Sequence, residues 1–232
     1  MNSQTFNAEA PARSVCEIQW AGQALHLLPE RALWWPEGRV LFIADLHLGK
    51  AATYRALGQP VPAGTTRENL GRLSELMMRY QPLKLVFLGD FMHAEQARTP
   101  SLLAALDAWR KQCAAMDCVL VRGNHDSRAG DPPPSLGIDV VDEPWLIGPF
   151  AACHHPQQHA THRVIAGHLH PAVHLFGRGR DHVRMPCFCF DEYQAILPAF
   201  GEFTGGWTVT LGAGRQLYPV GGQAVWRLPE SR

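Results

Sequence analysis

Short runs of apolar residues recur along this chain, and many of them stop at a glycine, a carboxylate or a histidine. The runs at 39–44, 85–88, 118–121, 150–153 and 163–166 are too short for helices and carry no alternation of polar and apolar positions. They predict buried strands, covered on both faces. Upstream, segments 16–20, 24–28 and 31–35 are short and punctuated by Gly22, Pro29 and Pro36. They predict an antiparallel meander at a sheet edge. Between the buried strands the period changes to that of a helix. Residues 48–57 predict a short one, and a longer one runs from a cap at Thr65 or Thr66 to Tyr80, with Leu70, Leu73, Leu76 and Met77 on one face, stopped by Pro82. Thr99-Pro100 opens another, extending to about Met116, with Leu102, Leu103, Leu106 and Trp109 along one side. Residues 129–136 read as a loop, and 138–141 and 145–147 as strands. Beyond residue 171 only short strands are predicted, at 173–176, 182–185, 188–190 and 195–197, then a loop over 198–206, then 207–211 and 224–228. The front half alternates β and α and the rear is β-rich, so the fold class is α/β. A polar tail over 1–13 and a single domain over 14–232 are expected.

Composition narrows the functional classes. The formal net charge is zero, so no global basic field announces a nucleic-acid partner. Lysine occurs only at 50, 84 and 111, and the remaining cations are arginines, whose planar fork suits phosphate. Six cysteines are scattered without a Cys-x-x-Cys pair, which fits free thiols in the cytoplasm. The start of the chain has no apolar signal-like core, and no run is long enough to span a bilayer.

The chemistry lies where the strands end. In chain order the exits carry Asp45 and His47, Asp90, Asn124, His154, and His168 with His170. Three of these groups directly follow Gly89, Gly123 or Gly167, where a missing side chain lets the backbone turn and the ligand point back over the sheet. Ligands in α/β sheets gather at the carboxyl ends of strands, so strands side by side would bring all seven groups to one crevice. Carboxylate, amide oxygen and imidazole without thiolate suit two first-row divalent cations, Mn²⁺ foremost, with Zn²⁺, Fe²⁺, Co²⁺ or Ni²⁺ as options. Each fragment alone has a bland reading as a turn or surface pair; the ordered series does not.

That series, Asp45-x-His47, Gly89-Asp90, Gly123-Asn124-His125-Asp126, His154 and Gly167-His168-x-His170, resembles the calcineurin-like metallophosphoesterases. Within them the chain is most similar to the ligase-associated DNA damage response endonucleases of the PdeM group, on the stretches 43–50, 167–171 and 197–206. The resemblance implies a four-layer α/β/β/α sandwich of two mixed sheets flanked by helices. It implies that Asp45, His47 and His170 hold one metal and that Asn124, His154 and His168 hold the second, with Asp90 bridging. His155 competes with His154 for one ligand place; His154 is preferred because it comes first after the apolar run.

His125 is the expected general acid or charge stabiliser, and Asp126 either orients its ring or merely caps a turn. Gly89-Asp90-x-x-His93 resembles the SbcD-type repair nucleases, where the histidine reaches the active site; otherwise His93 stands behind it. The implied activity is phosphodiester hydrolysis, with DNA, single-stranded or flexible, as substrate in repair. An ATP-dependent DNA ligase and a helicase are the partners the family name suggests, and a homodimer is one option. Arg55, Arg122 and Arg128 are candidate DNA contacts near the site. A small-molecule phosphoesterase acting on nucleotides, cyclic nucleotides or nucleotide-sugars is the alternative, and a non-catalytic scaffold would have lost ligands.

Overall fold

The computed structural model describes residues 13–56, 58–61, 64–177, 181–202, 204–212 and 214–229. Apart from Arg13, the tail expected over 1–13 lies outside them. The strands are β1 (Cys16–Trp20), β2 (Gln23–Leu27), β3 (Ala32–Trp35), β4 (Val40–Ala44), β5 (Lys84–Leu88), β6 (Asp117–Val121), β7 (Ile138–Val141), β8 (Trp145–Ile147), β9 (Phe150–Ala152), β10 (Arg163–Ala166), β11 (Ala172–Phe176), β12 (His182–Phe190), β13 (Gln194–Ile196), β14 (Gln216–Gly221) and β15 (Ala224–Val225). The α-helices are α1 (Lys50–Ala56), α2 (Thr65–Tyr80), α3 (Pro100–Gln112) and the single turn α4 (Asp126–Ala129).

Two mixed sheets result. The first runs β1 to β7 in chain order, antiparallel up to β4 and parallel from β4 to β7. The second has the order β15-β14-β12-β13-β10-β9-β8, with β11 hung on β12, and its parallel core is β9, β10 and β13. The βα alternation of the front half produced the first parallel set. Short connections gave the antiparallel meander β1 to β4 and the β8–β9 pair.

The sheets pack face to face. Leu27, Phe42, Ala44, Val86 and Leu88 of the first meet Phe150, Ile165, Phe188, Phe190 and Tyr218 of the second in one shared core. Alternate residues of β4 and β5, Leu41, Ile43, Leu85 and Phe87, point the other way, under Leu70, Leu73, Leu76, Leu106 and Trp109 of α2 and α3. This two-faced burial is why those strands read as unbroken apolar runs. Outside the second sheet, Cys187, Cys189 and Leu217 are covered by Val209, Leu211 and Leu228. Among the described residues every α-helix precedes β7, so irregular chain, not helix, covers this patch.

Local differences from the sequence reading have local causes. Thr65 is the first helical residue of α2 and does not cap it; the cap is Gly64, at φ 100°. Thr99 does cap α3, accepting from the Leu102 N–H, but α3 stops at Gln112. The following turn is held by Arg110, which donates to the Cys113, Met116 and Leu136 carbonyls. β12 is continuous where two strands were expected. Pro186 sits where its pairing changes from β11 to β14, so the missing N–H falls at a change of partner. β14, which contains Pro219, was not predicted. Residues 207–211 form an isolated bridge at Thr208 instead of the expected strand, and the expected strand at 224–228 is cut to Ala224–Val225.

Phe150 is fully buried at the sheet interface, with ring centroids 5.1 Å from Trp35, 5.8 Å from Trp20 and 6.3 Å from Phe42. Phe150→Ala is expected to lower unfolding free energy by about 3–5 kcal/mol, measured as a fall in the denaturant midpoint at unchanged slope.

Candidate metal centre

The parallel registers set the stage. Ala44 pairs with Leu88 and Leu88 with Val121, so the exits of β4, β5 and β6 are flush. In the second sheet β9 and β10 pair in parallel, Ala152 opposite Ile165, and present their carboxyl ends likewise. A strap of residues 197–202 and 204–206 ties the sheets together here. The Leu197 N–H donates to Ala166 O, Phe200 N–H to Ala44 O and Gly201 N–H to Asp45 O.

Left-handed backbone is concentrated at these exits. Asp45, His47, Asp90, His168 and His170 all have φ between 47° and 67°. A non-glycine residue there is uncommon, and strain of this kind persists where the surroundings over-determine it. Each left-handed residue turns the chain at once, aiming its side chain back across the strand ends.

The glycines act differently from the sequence reading. Gly123 and Gly167 are not in the left-handed region; they provide room. A Cβ on Gly123 would lie 2.5 Å from Asp90 Oδ1, and one on Gly167 would lie 2.6 Å from Asp45 Oδ2. Gly89, at φ 79°, provides both turn and room, because a Cβ there would sit 2.1 Å from His154 Nδ1. Each glycine therefore admits a carboxylate or imidazole from a neighbouring strand.

Two clusters share one carboxylate. In the first, ligand atoms of Asp45, His47, Asp90 and His170 lie within 4.8 Å of one another. His47 Nε2 is 3.6 Å from Asp90 Oδ2, and His170 Nε2 is 3.4 Å from Asp45 Oδ1. In the second, His154 Nε2 stands 2.9 Å from Asn124 Oδ1, 3.0 Å from His168 Nδ1 and 3.5 Å from Asp90 Oδ1. Asp90 thus turns one oxygen to each cluster. His155, directly after His154, is half-exposed, and its Nδ1 is 2.7 Å from Glu143 Oε1.

Tautomers follow from partners that can only accept. His154 Nδ1 meets Leu88 O at 3.0 Å and His170 Nδ1 meets Gly205 O at 3.0 Å. Both Nδ1 atoms therefore carry the proton in the neutral ring, which leaves a bare Nε2 lone pair facing the crevice. Buried His170 Nε2 and both ring nitrogens of His47 have no hydrogen-bond partner. Orphaned buried nitrogens beside carboxylates are the arrangement that divalent cations satisfy, so the residues present fit a two-metal site. Burial first, then the Lys50 charge, holds His47 well below the ordinary imidazole range. Burial also lowers His168, and the neighbouring imidazoles of His154 and His155 add to it. Burial pulls His170 down as well, but the adjacent Asp45 carboxylate outweighs it and the ring is raised.

His125 and His93 flank the first cluster. Their rings stack with centroids 5.2 Å apart, and they lie 5.0 Å and 5.6 Å from the His47 ring. His125 Nδ1 donates to the His93 carbonyl at 2.7 Å, while its Nε2 lies 4.0 Å from Asp90 Oδ2. Burial, Lys50 and His125 push His93 down to about 4. Asp126 does not orient the His125 ring. Its carboxylate is buried and accepts from the backbone N–H groups of Gly123, Phe91 and Met92, which locks the turns after β5 and β6 together. Burial raises it to about 6, with the nearby Asp90 charge adding to the rise.

Two residues were not singled out by sequence reasoning. Glu143 accepts from the His154 and His155 N–H groups and from the His155 ring. Only its place ahead of the β8–β9 hairpin hinted at this. Lys50, buried at the start of α1, has its ammonium lowered by desolvation while Asp90 and Asp45 oppose the shift. Of the arginines proposed as DNA contacts, Arg122 is engaged by Asp131 and Asp142, at 2.9 Å and 2.7 Å. Arg128 lines a surface pocket of about 420 Å³ with Asn124, Ser127 and His155, and Arg55 lines a separate groove between the helices.

A family model, calcineurin-like phosphoesterase, matches residues 38–159. The Pseudomonas putida nuclease MPE is a similar solved structure, with 48% sequence identity over 93% of this chain and 100% of that one, at a TM-score of 0.82. The E. coli phosphoesterase Yfce is a distant one, with 16% identity over 82% of this chain and 97% of that one, at a TM-score of 0.44. No curated protein matches the chain.

Gly123→Ala is expected to drive Asp90 from its place and to weaken Mn²⁺ binding by roughly 10–100-fold, read as loss of the Mn²⁺-dependent rise in Tm. Gly71→Ala, on α2 with open space around the added Cβ, is the matched control and should keep that rise.

Proposed function

The chain belongs to the calcineurin-like phosphoesterase family and is a metal-dependent phosphodiesterase; on that premise we propose that it is an endonuclease that cuts DNA, single-stranded or flexible, in the course of repair. The observation that carries the reading of the centre is Asp90, one carboxylate with an oxygen toward each of two histidine clusters. The similarity to a nuclease along nearly the whole chain supports nucleic acid as the substrate class.

In this reading Asp45, His47 and His170 would hold one cation and Asn124, His154 and His168 the other, with Asp90 shared between them. Mn²⁺ is the cation we assign first, since an oxygen- and imidazole-rich set without thiolate accommodates it. When bound, such a pair would supply a water-derived nucleophile at neutral pH and stabilise charge on the attacking and leaving oxygens. The chain's own residues do the rest. His125 keeps one proton on Nδ1 through the His93 carbonyl, and its Nε2 faces the crevice. A proton held there passes to the leaving oxygen as its bond to phosphorus breaks, giving an alcohol and a phosphomonoester. His93 acts as a positioning residue, with its carbonyl fixing the tautomer of His125 and its ring stacked on it. His154 is preferred over His155 as ligand because Glu143 already engages the His155 ring.

The biological setting is also part of the proposal. All six cysteines are unpaired, and four are buried, which supports a reducing cytoplasm. No helix among the described residues is long and apolar enough to cross a membrane. Association with an ATP-dependent DNA ligase and a helicase is proposed from the likeness to the ligase-associated group alone.

The test is cleavage with Mn²⁺, offering single-stranded DNA, duplex DNA and bis-p-nitrophenyl phosphate in parallel. Wild type should cut single-stranded DNA; His125→Ala should lose on the order of 10²–10⁴ in kcat, and Asp90→Ala should be inactive. Turnover of the small diester with every DNA left intact would move the substrate to a small molecule.

A further inference from the structure

The β11–β12 hairpin reaches outward from the metal centre. Its register pairs Phe176 with His182 and His174 with Arg184, so these four side chains share one face. The opposite face carries Val173 and Leu175, which pack against Val209, Leu211 and Leu228. One side of the ribbon is therefore anchored, and the other presents a phenyl ring, two imidazoles and a guanidinium without a carboxylate.

The rings on that face are aligned. His174 lies 26° from the plane of Phe176 and 23° from that of His182, with centroids 6.4–6.5 Å apart. Phe176 is 80% exposed, the most exposed large apolar side chain among the described residues, and His182 and Arg184 are exposed too. An aromatic ring this exposed at the end of a ribbon contributes nothing to the core. It costs solubility unless a partner covers it.

The face is continuous with the centre. Arg184 Nη2 donates to Gly206 O at 3.1 Å, and the preceding carbonyl, Gly205 O, accepts from His170 Nδ1 at 3.0 Å. Two successive carbonyls of the strap thus link the cation on the platform to a proposed ligand of the metal. Gly206 has no room for a side chain, since a Cβ would meet His170 O at 2.2 Å and Arg184 Nη2 at 2.7 Å.

We propose that this hairpin face is a stacking platform for single-stranded nucleic acid, with bases lying against Phe176, His174 and His182 and the backbone passing Arg184 toward the metal centre; this rests on the reading of that centre as a DNA-cutting one. Flat rings beside a cation bind unpaired bases with little regard to sequence, because every base offers a π-face. Duplex DNA keeps its bases stacked inside and gains nothing from such a surface. The platform therefore accounts for a single-strand preference that a metal pair alone does not provide.

The test compares two substrates of the Mn²⁺-loaded full chain, an oligothymidylate and bis-p-nitrophenyl phosphate. Phe176→Ala should raise KM for the oligonucleotide about tenfold, and the double variant with His174→Ala further, while Phe176→Trp stays near wild type. Turnover of the small diester should stay within about twofold throughout, which also reports that the variants fold. An unchanged oligonucleotide KM in the double variant overturns the platform, as does an equal loss on both substrates. A wild type that turns over the diester but never cuts the oligonucleotide overturns the DNA reading itself, a distinct result. Sedimentation of wild type and Phe176→Ala completes the test, since a dimer lost in the variant would make this face a contact between copies.

Discussion

Everything at the centre depends on neighbouring parallel strands ending level with one another. Backbone hydrogen bonding fixes that alignment, and it is set by burial on both faces of β4, β5 and β6. A slip of one residue would turn each strand's inward set outward and displace the residues beyond its end. The hydrophobic core is thus the ruler against which the polar groups are placed. The left-handed residues at the exits then convert strand direction into side-chain direction within a single step. Strain is tolerated there because carbonyls, amides and the Asp126 carboxylate pin the surrounding turns.

Electrostatics explains why the cluster needs cations. Asp45 and Asp90 are buried almost completely among imidazoles, and burial pushes two of these, His47 and His168, below the ordinary range. Such carboxylates are costly without positive charge nearby, and the Lys50 ammonium is one cation against two of them. Divalent ions would supply the missing charge and the missing partners of the histidine nitrogens together. Asp126 and Glu143 are carboxylates of another kind, spent on backbone N–H groups, and they hold the frame on either side of the centre.

Much of this was legible in the sequence because the signal was repeated. Apolar runs ending in Asp45, Asp90, Asn124, His154 and His168 announce both the buried parallel strands and the groups beyond them. What escaped was decided by long-range partners. β14 carries Pro219 and was not predicted as a strand, yet Gln216 to Pro219 pair in register with Phe190 to Cys187 of β12. Residues 207–211 look like a strand but find only an isolated bridge. Asp126 stands next to His125 in sequence, while its carboxylate is claimed by amides from the turn after β5. Arg122 looks like a free phosphate binder until Asp131 and Asp142 come beside it. In each case a local pattern is compatible with two outcomes, and residues distant in the chain choose.

The strap that carries Phe200 and Gly205 has a consequence for how the molecule comes into being. It closes the centre by joining Phe200 to the end of β4 and Gly205 to the ring of His170, so contacts that finish the site span most of the chain. Domains assemble as their chains emerge, and pairings between distant segments form late. A growing or truncated chain that has not yet delivered Gly205 lacks the carbonyl that sets the proton on His170. A site built this way is finished only after segments far apart in the chain have met.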